Sequence, residues 1–256
     1  MSEPRESVHD VDVVVLTWND GPLLARAVDS ALAQVGVGIE VTVVDNGSDP
    51  PATVVSDPRV RLVRREENLG VGGGRNLGVA AGSASFVCVL DSDARLFPDA
   101  LTRLIEPLLA DPTIGCSAPV FTGQAPEASA GTAPTLADKA RRVLNRTDVY
   151  RRTPGQGVGP WWTVDFAIGA CQVFRREAFV AVGGIDASAA FGPEDVDFCL
   201  RLARAGWRTV QVADAGCDHP PRRAFRGLAS ARGVRHTTAV LRHLWRHRST
   251  RREVAA

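Results

Sequence analysis

The chain has 256 residues, 45% of them hydrophobic and 23% charged, which excludes a disordered or fibrous protein and leaves room for one sizeable core. Its formal net charge of +1 hides a split: from Arg201 on, thirteen arginines stand against Asp214, Asp218 and Glu253, a surplus of ten, so the first 200 residues carry −9 by difference. The cysteines (88, 116, 171, 199 and 217) are scattered and form no C-x-x-C pair, which reads as buried reduced thiols, not a disulfide frame or zinc site.

In chain order, Asp12–Thr17 (DVVVLT) reads as a buried strand. Gly21-Pro22 opens a helix whose apolar positions are Leu24, Val28, Ala31 and Leu32. Ile39–Val44 is a second strand, ending in the turn Asp45-Asn46-Gly47-Ser48, and Val60–Val63 a third. The glycine-rich Asn68–Gly74 then leads into a helix ending near Ala81. Phe86–Leu90 is a fourth strand, stopping at Asp91, and a helix from Pro98 to Ala110 precedes a strand at Ile114–Val120. Gly123–Gly159 reads as a mobile loop with a short basic helix around Asp138–Asn145. Beyond Trp161-Trp162 come strand candidates at Val164–Ile168 and Gln172–Arg175 and a helix from Glu177 to Val182. Another helix runs from Pro193-Glu194-Asp195 to Ala205, Thr209–Ala213 is the last strand, and Pro221 onward is a basic helical tail. The alternation implies an α/β fold: a single Rossmann-like, doubly wound, mostly parallel sheet. In such sheets ligands collect beyond the carboxyl ends of the strands, which is where Asn19, Asp45, Asn68 and Asp91 fall.

Asp91-Ser92-Asp93 places two carboxylates one residue apart behind a hydrophobic strand, an arrangement that suits a hard divalent cation shared with phosphate oxygens; a solvated turn is the plain alternative. Glu194-Asp195 stands in the first turn of a helix, where acids favour the helix dipole, yet a rigidly mounted carboxylate there also suits a general base. His219 follows the last strand beside Arg222 and Arg223, either structural or part of a phosphate-facing cluster. The stretch NLGVGGGRNLG at 68–78 follows the third strand and lacks the third glycine of a dinucleotide fingerprint. It reads as close backbone approach to a nucleotide, with Asn68, Gly74 and Asn76 as contacts, or as a tight turn. Trp161 and Trp162 are either a wall beside the substrate or core aromatics at a sheet edge.

Taken together, VVVLTWND (13–20), VVDNGSDP (43–50), NLGVGGGRN (68–76), VLDSDARLFPDAL (89–101), GACQVFRREAFVAVGGID (169–186) and GPEDVDFCLRLARAGW (192–207) resemble family 2 of the inverting glycosyltransferases with the A-type nucleotide-sugar fold. The last two segments are most similar to the rhamnosyltransferase-like branch. The resemblance implies that Thr17 and Asp45 meet the nucleobase and ribose and that Asp91 reaches the ribose or a metal. It further implies Asp93 as principal ligand of Mn²⁺ or Mg²⁺, His219 near the metal and diphosphate, Asp195 as catalytic base and Glu194 as its acidic neighbour. Asn19, Asn68, Gly74, Asn76 and Ser92 are expected to line the donor nucleotide, and Trp161, Trp162, Gly169 and Ala170 the sugar or acceptor. Gly192-Pro193 departs from the family, standing where an aromatic stretch often precedes the acidic pair.

The resulting expectation is an inverting transferase with a catalytic domain at 1–220, its donor half about 10–120 and acceptor half about 160–220, and a basic tail at 221–256. The acceptor is left open among a glycan, a lipid-linked intermediate and a small-molecule natural product. A sugar-phosphate nucleotidyltransferase and a non-catalytic sugar-nucleotide-binding module are the rivals. Nucleic acid is not an expected partner, since no recognisable fold supports the arginines. In the tail, Val234, Leu241, Leu244 and Trp245 share one helical face amid arginines, which suits an anionic membrane surface, packing on the catalytic domain, or a homodimer. Met1–Asp10 has no signal-peptide pattern and Val11–Leu16 is too short to cross a bilayer. The expected location is therefore cytoplasmic, with a peripheral position at the inner face of the membrane left open.

Overall fold

The computed structural model describes residues 10–122, 129–132, 157–188 and 193–219. The expected basic helix at 138–145, most of the expected mobile loop, Gly192 and the tail from 221 onward lie outside these residues. In chain order the elements are β1 (Asp10–Thr17), α1 (Pro22–Leu32), β2 (Gly38–Asn46), β3 (Val60–Arg65), α2 (Gly70–Ala80), β4 (Phe86–Asp91), β5 (Arg95–Leu96), α3 (Ala100–Ala110), β6 (Ile114–Thr122) and β7 (Ala130–Gly131). They continue with β8 (Trp161–Val164), β9 (Phe166–Ala167), β10 (Cys171–Arg175), α4 (Arg176–Ala181), α5 (Glu194–Arg204) and β11 (Arg208–Asp218).

Strands that are apolar on both faces must be covered on both faces, and the central strands obey this by alternation. Val11, Val13 and Val15 of β1 and Phe86, Cys88 and Leu90 of β4 pack with Leu24 and Val28 of α1 and Leu101, Leu104 and Leu108 of α3. The intervening Val14, Val87 and Val89 pack on the other face with Val79 of α2, Phe179 of α4 and Phe198 and Leu202 of α5. Phe174, Phe179 and Phe198 meet there with ring centroids 5.3–6.0 Å apart. All five cysteines are buried and free, as the scattered spacing implied.

The main sheet runs β3-β2-β1-β4-β10-β6-β11-β5, with β8 also paired to β11. β3, β2, β1 and β4 are mutually parallel, and β6 is parallel to β11. Between these blocks β10 runs antiparallel to both β4 and β6. The mostly parallel sheet is as expected; the reversed strand at its centre is not a feature that periodicity reveals. Three further details differ from the expectation. The glycine run lies inside α2 instead of in a loop before it. Val164–Ile168 divides between β8 and β9, which pair with β11 and β7 respectively. The last strand continues past Ala213 to Asp218, with a register shift between Val212 and Gly216. Among the described residues no helix is long and apolar enough to cross a membrane.

Candidate active site

Because β1, β2 and β4 are parallel, their carboxyl ends Thr17, Asn46 and Asp91 share one edge of the sheet. β10 runs the other way, so its beginning arrives at the same edge: the Asp91 N–H donates to the Ala170 carbonyl at 2.9 Å. β11 is parallel to β6, and its end pairs antiparallel with β5, Cys217 opposite Leu96 and Asp218 opposite Arg95. That register carries His219 back to the acidic turn just before β5.

Asp91, Asp93 and His219 therefore converge, each offering one ligand atom, all within 4.8 Å of one another. His219 Nε2 lies 3.7 Å from Asp93 Oδ1, and the imidazole rests against the Phe121 ring at 5.1 Å. Two carboxylates and an imidazole form a donor set suited to Mn²⁺, and also to Mg²⁺ through the oxygens; the residues present fit such an ion. The Asp93 side chain is 6% exposed whereas that of Asp91 is 35% exposed, so Asp91 opens to solvent. Ser92, between them, is buried and its hydroxyl donates to the Asp20 carboxylate, tying the turn to the β1–α1 loop.

Behind Asp91 sits a residue absent from the expected set. Arg75, on α2, is 3% exposed; its Nη2 donates to Asp91 Oδ1 at 2.7 Å and to the Gly169 carbonyl at 2.6 Å. Burial pulls its pKa down, but the charges of Asp91, Glu194 and Asp195 outweigh this and hold it above its ordinary value. Its only trace in the sequence is a lone arginine within an otherwise small and apolar helix, VGGGRNLG. Asp20 was likewise not among the expected site residues.

At the start of α5, the Asp195 carboxylate accepts the Gly169 N–H at 3.2 Å through Oδ2 and the Val196 N–H at 2.8 Å through Oδ1. Glu194 beside it has a buried Oε2 with no hydrogen-bond partner. Desolvation, with the negative charge of Asp195 added, pushes its pKa up to about 7. The arrangement separates two adjacent acids: Asp195 is backed by amide donors, and Glu194 holds its proton to near neutrality.

The residues expected at the nucleotide divide. Thr17 and Asp45 are paired across β1 and β2 and both are buried. Asp45 accepts the Ser48 N–H at 2.9 Å and the Ala52 N–H at 3.0 Å and forms an ion pair with Arg64. Burial would raise its pKa; the hydrogen bonds from Ser48, Ala52 and Arg64 prevail and lower it. Asn19, with φ 61°, donates its N–H to Ser48 Oγ at 3.0 Å and accepts the Asp49 N–H at 2.8 Å. Asn68 accepts from Asn46 Nδ2 and from the Gly70 N–H. Thr17 and Asp45 stand at the ends of their strands, and Asn19 and Asn68 lie in the loops beyond β1 and β3.

Two expected contacts are used elsewhere. The Asn76 amide is committed in both directions to the backbone of Ile185, at 2.8 and 2.9 Å. Gly74 faces β1, where a Cβ would stand 2.4 Å from Leu16 Cδ1; its smallness serves close helix–sheet packing. Gly169 and Ala170 are at the site, but through their backbone. Trp162 is buried among Ala118, Ala130, Val164 and Ala167, and Trp161 is half-buried against the main core, which is the sheet-edge alternative.

A family model described as Glycosyl transferase family 2 matches residues 12–183, more than half of the chain. The chain is 47% identical over 105 residues to the succinoglycan biosynthesis protein ExoO of Rhizobium meliloti, a stretch covering 40% of this chain and 30% of that protein. It is 29% identical over 240 residues to the N-acetylglucosaminyl-diphospho-decaprenol L-rhamnosyltransferase of Mycobacterium tuberculosis, covering 81% of this chain and 75% of that one. Among solved structures it is similar to the mannosyltransferase PcManGT of Pyrobaculum calidifontis in complex with GDP-Man and Mn²⁺, with a TM-score of 0.63 and 21% identity over 92% of this chain and 63% of that chain. The last likeness is one of fold.

Proposed function

The chain belongs to glycosyl transferase family 2, and from that premise we propose that it moves a sugar from a nucleotide diphosphate donor to an acceptor hydroxyl, with inversion at the anomeric carbon. The observation that carries the reading is the convergence of Asp91, Asp93 and His219 at the edge to which Gly169 also brings Asp195. The donor half is about 10–120 and the acceptor half about 160–220. Thr17, Asp45 and the loops clasped by Asn19 and Asn68 form the nucleotide side.

In this mechanism Asp195 takes the proton of the acceptor hydroxyl. The freed oxygen forms its bond to the anomeric carbon on the face opposite the nucleotide. The bond from that carbon to the diphosphate oxygen breaks, and its electron pair leaves with the diphosphate. Asp91, Asp93 and His219 hold the divalent cation, Mn²⁺ or Mg²⁺, which when bound neutralises charge developing on the leaving group. The Val196 and Gly169 amides fix both Asp195 oxygens. Burial and the charge of Asp195 disfavour a second negative charge on Glu194 beside the base.

The name of the mycobacterial relative favours a polyprenyl-diphosphate-linked sugar as acceptor over a free small molecule. A thermal-shift screen of UDP-, dTDP- and GDP-sugars with and without Mn²⁺ tests the reading. Stabilisation by one nucleotide class only in the presence of metal is expected; no response to any of them refutes it.

A further inference from the structure

Asp195 and Asp91 belong to different halves of the chain, and one unbroken line of hydrogen bonds joins them. Asp195 Oδ2 accepts the Gly169 N–H at 3.2 Å, the Gly169 carbonyl accepts Arg75 Nη2 at 2.6 Å, and the same Nη2 donates to Asp91 Oδ1 at 2.7 Å. We propose that Arg75 is a positioning residue which, through the peptide of Gly169, fixes the metal-side carboxylate Asp91 and the base Asp195 relative to each other. This role rests on the metal and base assignments of the proposed function.

Packing does not account for Arg75. A buried guanidinium among carboxylates contributes little net stability over an apolar side chain of the same volume. What it supplies is a planar donor with fixed geometry, here serving a carboxylate and a backbone carbonyl at once. Gly169 is fitted to it: a Cβ there would stand 2.5 Å from Arg75 Nη1, so the guanidinium comes this close to the backbone because that residue has no side chain. On the other side the Asp91 N–H is held by Ala170, so Arg75 and the start of β10 grip Asp91 by side chain and main chain together. Loss of either grip frees Asp91 to turn.

The test is Mn²⁺ titration by calorimetry on the full chain, for wild type, Arg75→Lys, Arg75→Gln and Gly169→Ala, with circular dichroism confirming the fold. Partners that orient a metal ligand are worth about 10- to 100-fold in metal affinity, and each variant is expected to lose affinity on that scale. The competing account, in which Arg75 acts only as a charge, predicts the opposite sign: removing a cation beside Asp91 in Arg75→Gln would tighten Mn²⁺ binding. Tighter or unchanged binding by Arg75→Gln overturns the proposal. Should the Arg75 variants fail to fold, Gly169→Ala, which keeps the charge, decides alone, and unchanged affinity there is fatal. The link to the base is read separately from the ¹⁵N–¹H signal of Gly169. It should move in Arg75→Lys as it does in Asp195→Asn, and an unmoved signal breaks the relay. A wild-type chain that takes up no Mn²⁺ overturns the metal site and this role together, whereas normal uptake by all variants overturns this role alone.

Discussion

His219 Nε2 and Asp93 Oδ1 lie 3.7 Å apart because β11 and β5 pair antiparallel with Asp218 opposite Arg95. The strand pairing, not sequence proximity, makes the pair. Asp93→Asn and His219→Ala are each expected to weaken Mn²⁺ binding by more than the ~10-fold that an outer partner is worth at the low end. Both variants should still fold in EDTA, with His219→Ala losing the contact of its ring with Phe121. Equal Mn²⁺ affinity in both variants would remove this cluster as the metal site.

Asp195→Asn retains the shape of the side chain and removes its basicity. Transfer should fall by about 10²–10⁴, the usual worth of a positioned base, while nucleotide binding with Mn²⁺ stays near wild type. The comparison to make is single-turnover transfer against calorimetric binding of the nucleotide. Full turnover by the variant would assign proton removal to another group.

Glu194 gives a stability profile of definite sign. Its pKa is raised in the folded chain to about 7 from its ordinary value of 4.5, so the folded state binds more protons than the unfolded state between those values. Stability from this group is complete below the unfolded pKa and is lost as pH rises through about 7. Glu194→Gln, which cannot ionise, is expected to match wild type near pH 4 and to exceed it at pH 8, by at most about 3 kcal/mol. Urea unfolding in EDTA at both pH values measures the difference; a variant less stable than wild type at pH 8 contradicts the assignment.

Gly78 sets helix propensity against packing. Alanine is the better helix former by about 1 kcal/mol, but a Cβ at Gly78 would stand 2.2 Å from Val14 Cγ1 and 3.0 Å from Val44 Cγ2. Overpacking of a buried helix–sheet contact costs about 1–3 kcal/mol, so Gly78→Ala is expected to lower stability by up to roughly 2 kcal/mol net. A chemical-denaturation midpoint that rises instead would show that α2 can lift off β1 cheaply.

The central strands were legible because their runs of Val, Cys and Leu are apolar at every position, and only a strand covered on both faces requires that. α2 was misjudged at its start because glycines ordinarily signal a loop; here Gly74 and Gly78 are small in order to admit Leu16 and Val14, a requirement set by other strands. The end of β11 was hidden by Asp214-Ala215-Gly216, which reads as a turn, while in the fold Gly216 makes room for the Phe97 ring. The acidic pairs of the site stand out in the sequence. Arg75 does not, because Asp91 and Gly169 reach it from distant segments, and its meaning depends on the direction of β10.

The direction of β10 also decides how the two sides of the site are tied together. A strand inserted backwards delivers its entrance to the ligand edge, so the chain leaving β9 arrives at the site at the very start of β10. The two sides are thereby spliced at one dipeptide, Gly169-Ala170, whose amide and carbonyl groups serve Asp195, Arg75 and Asp91 at once.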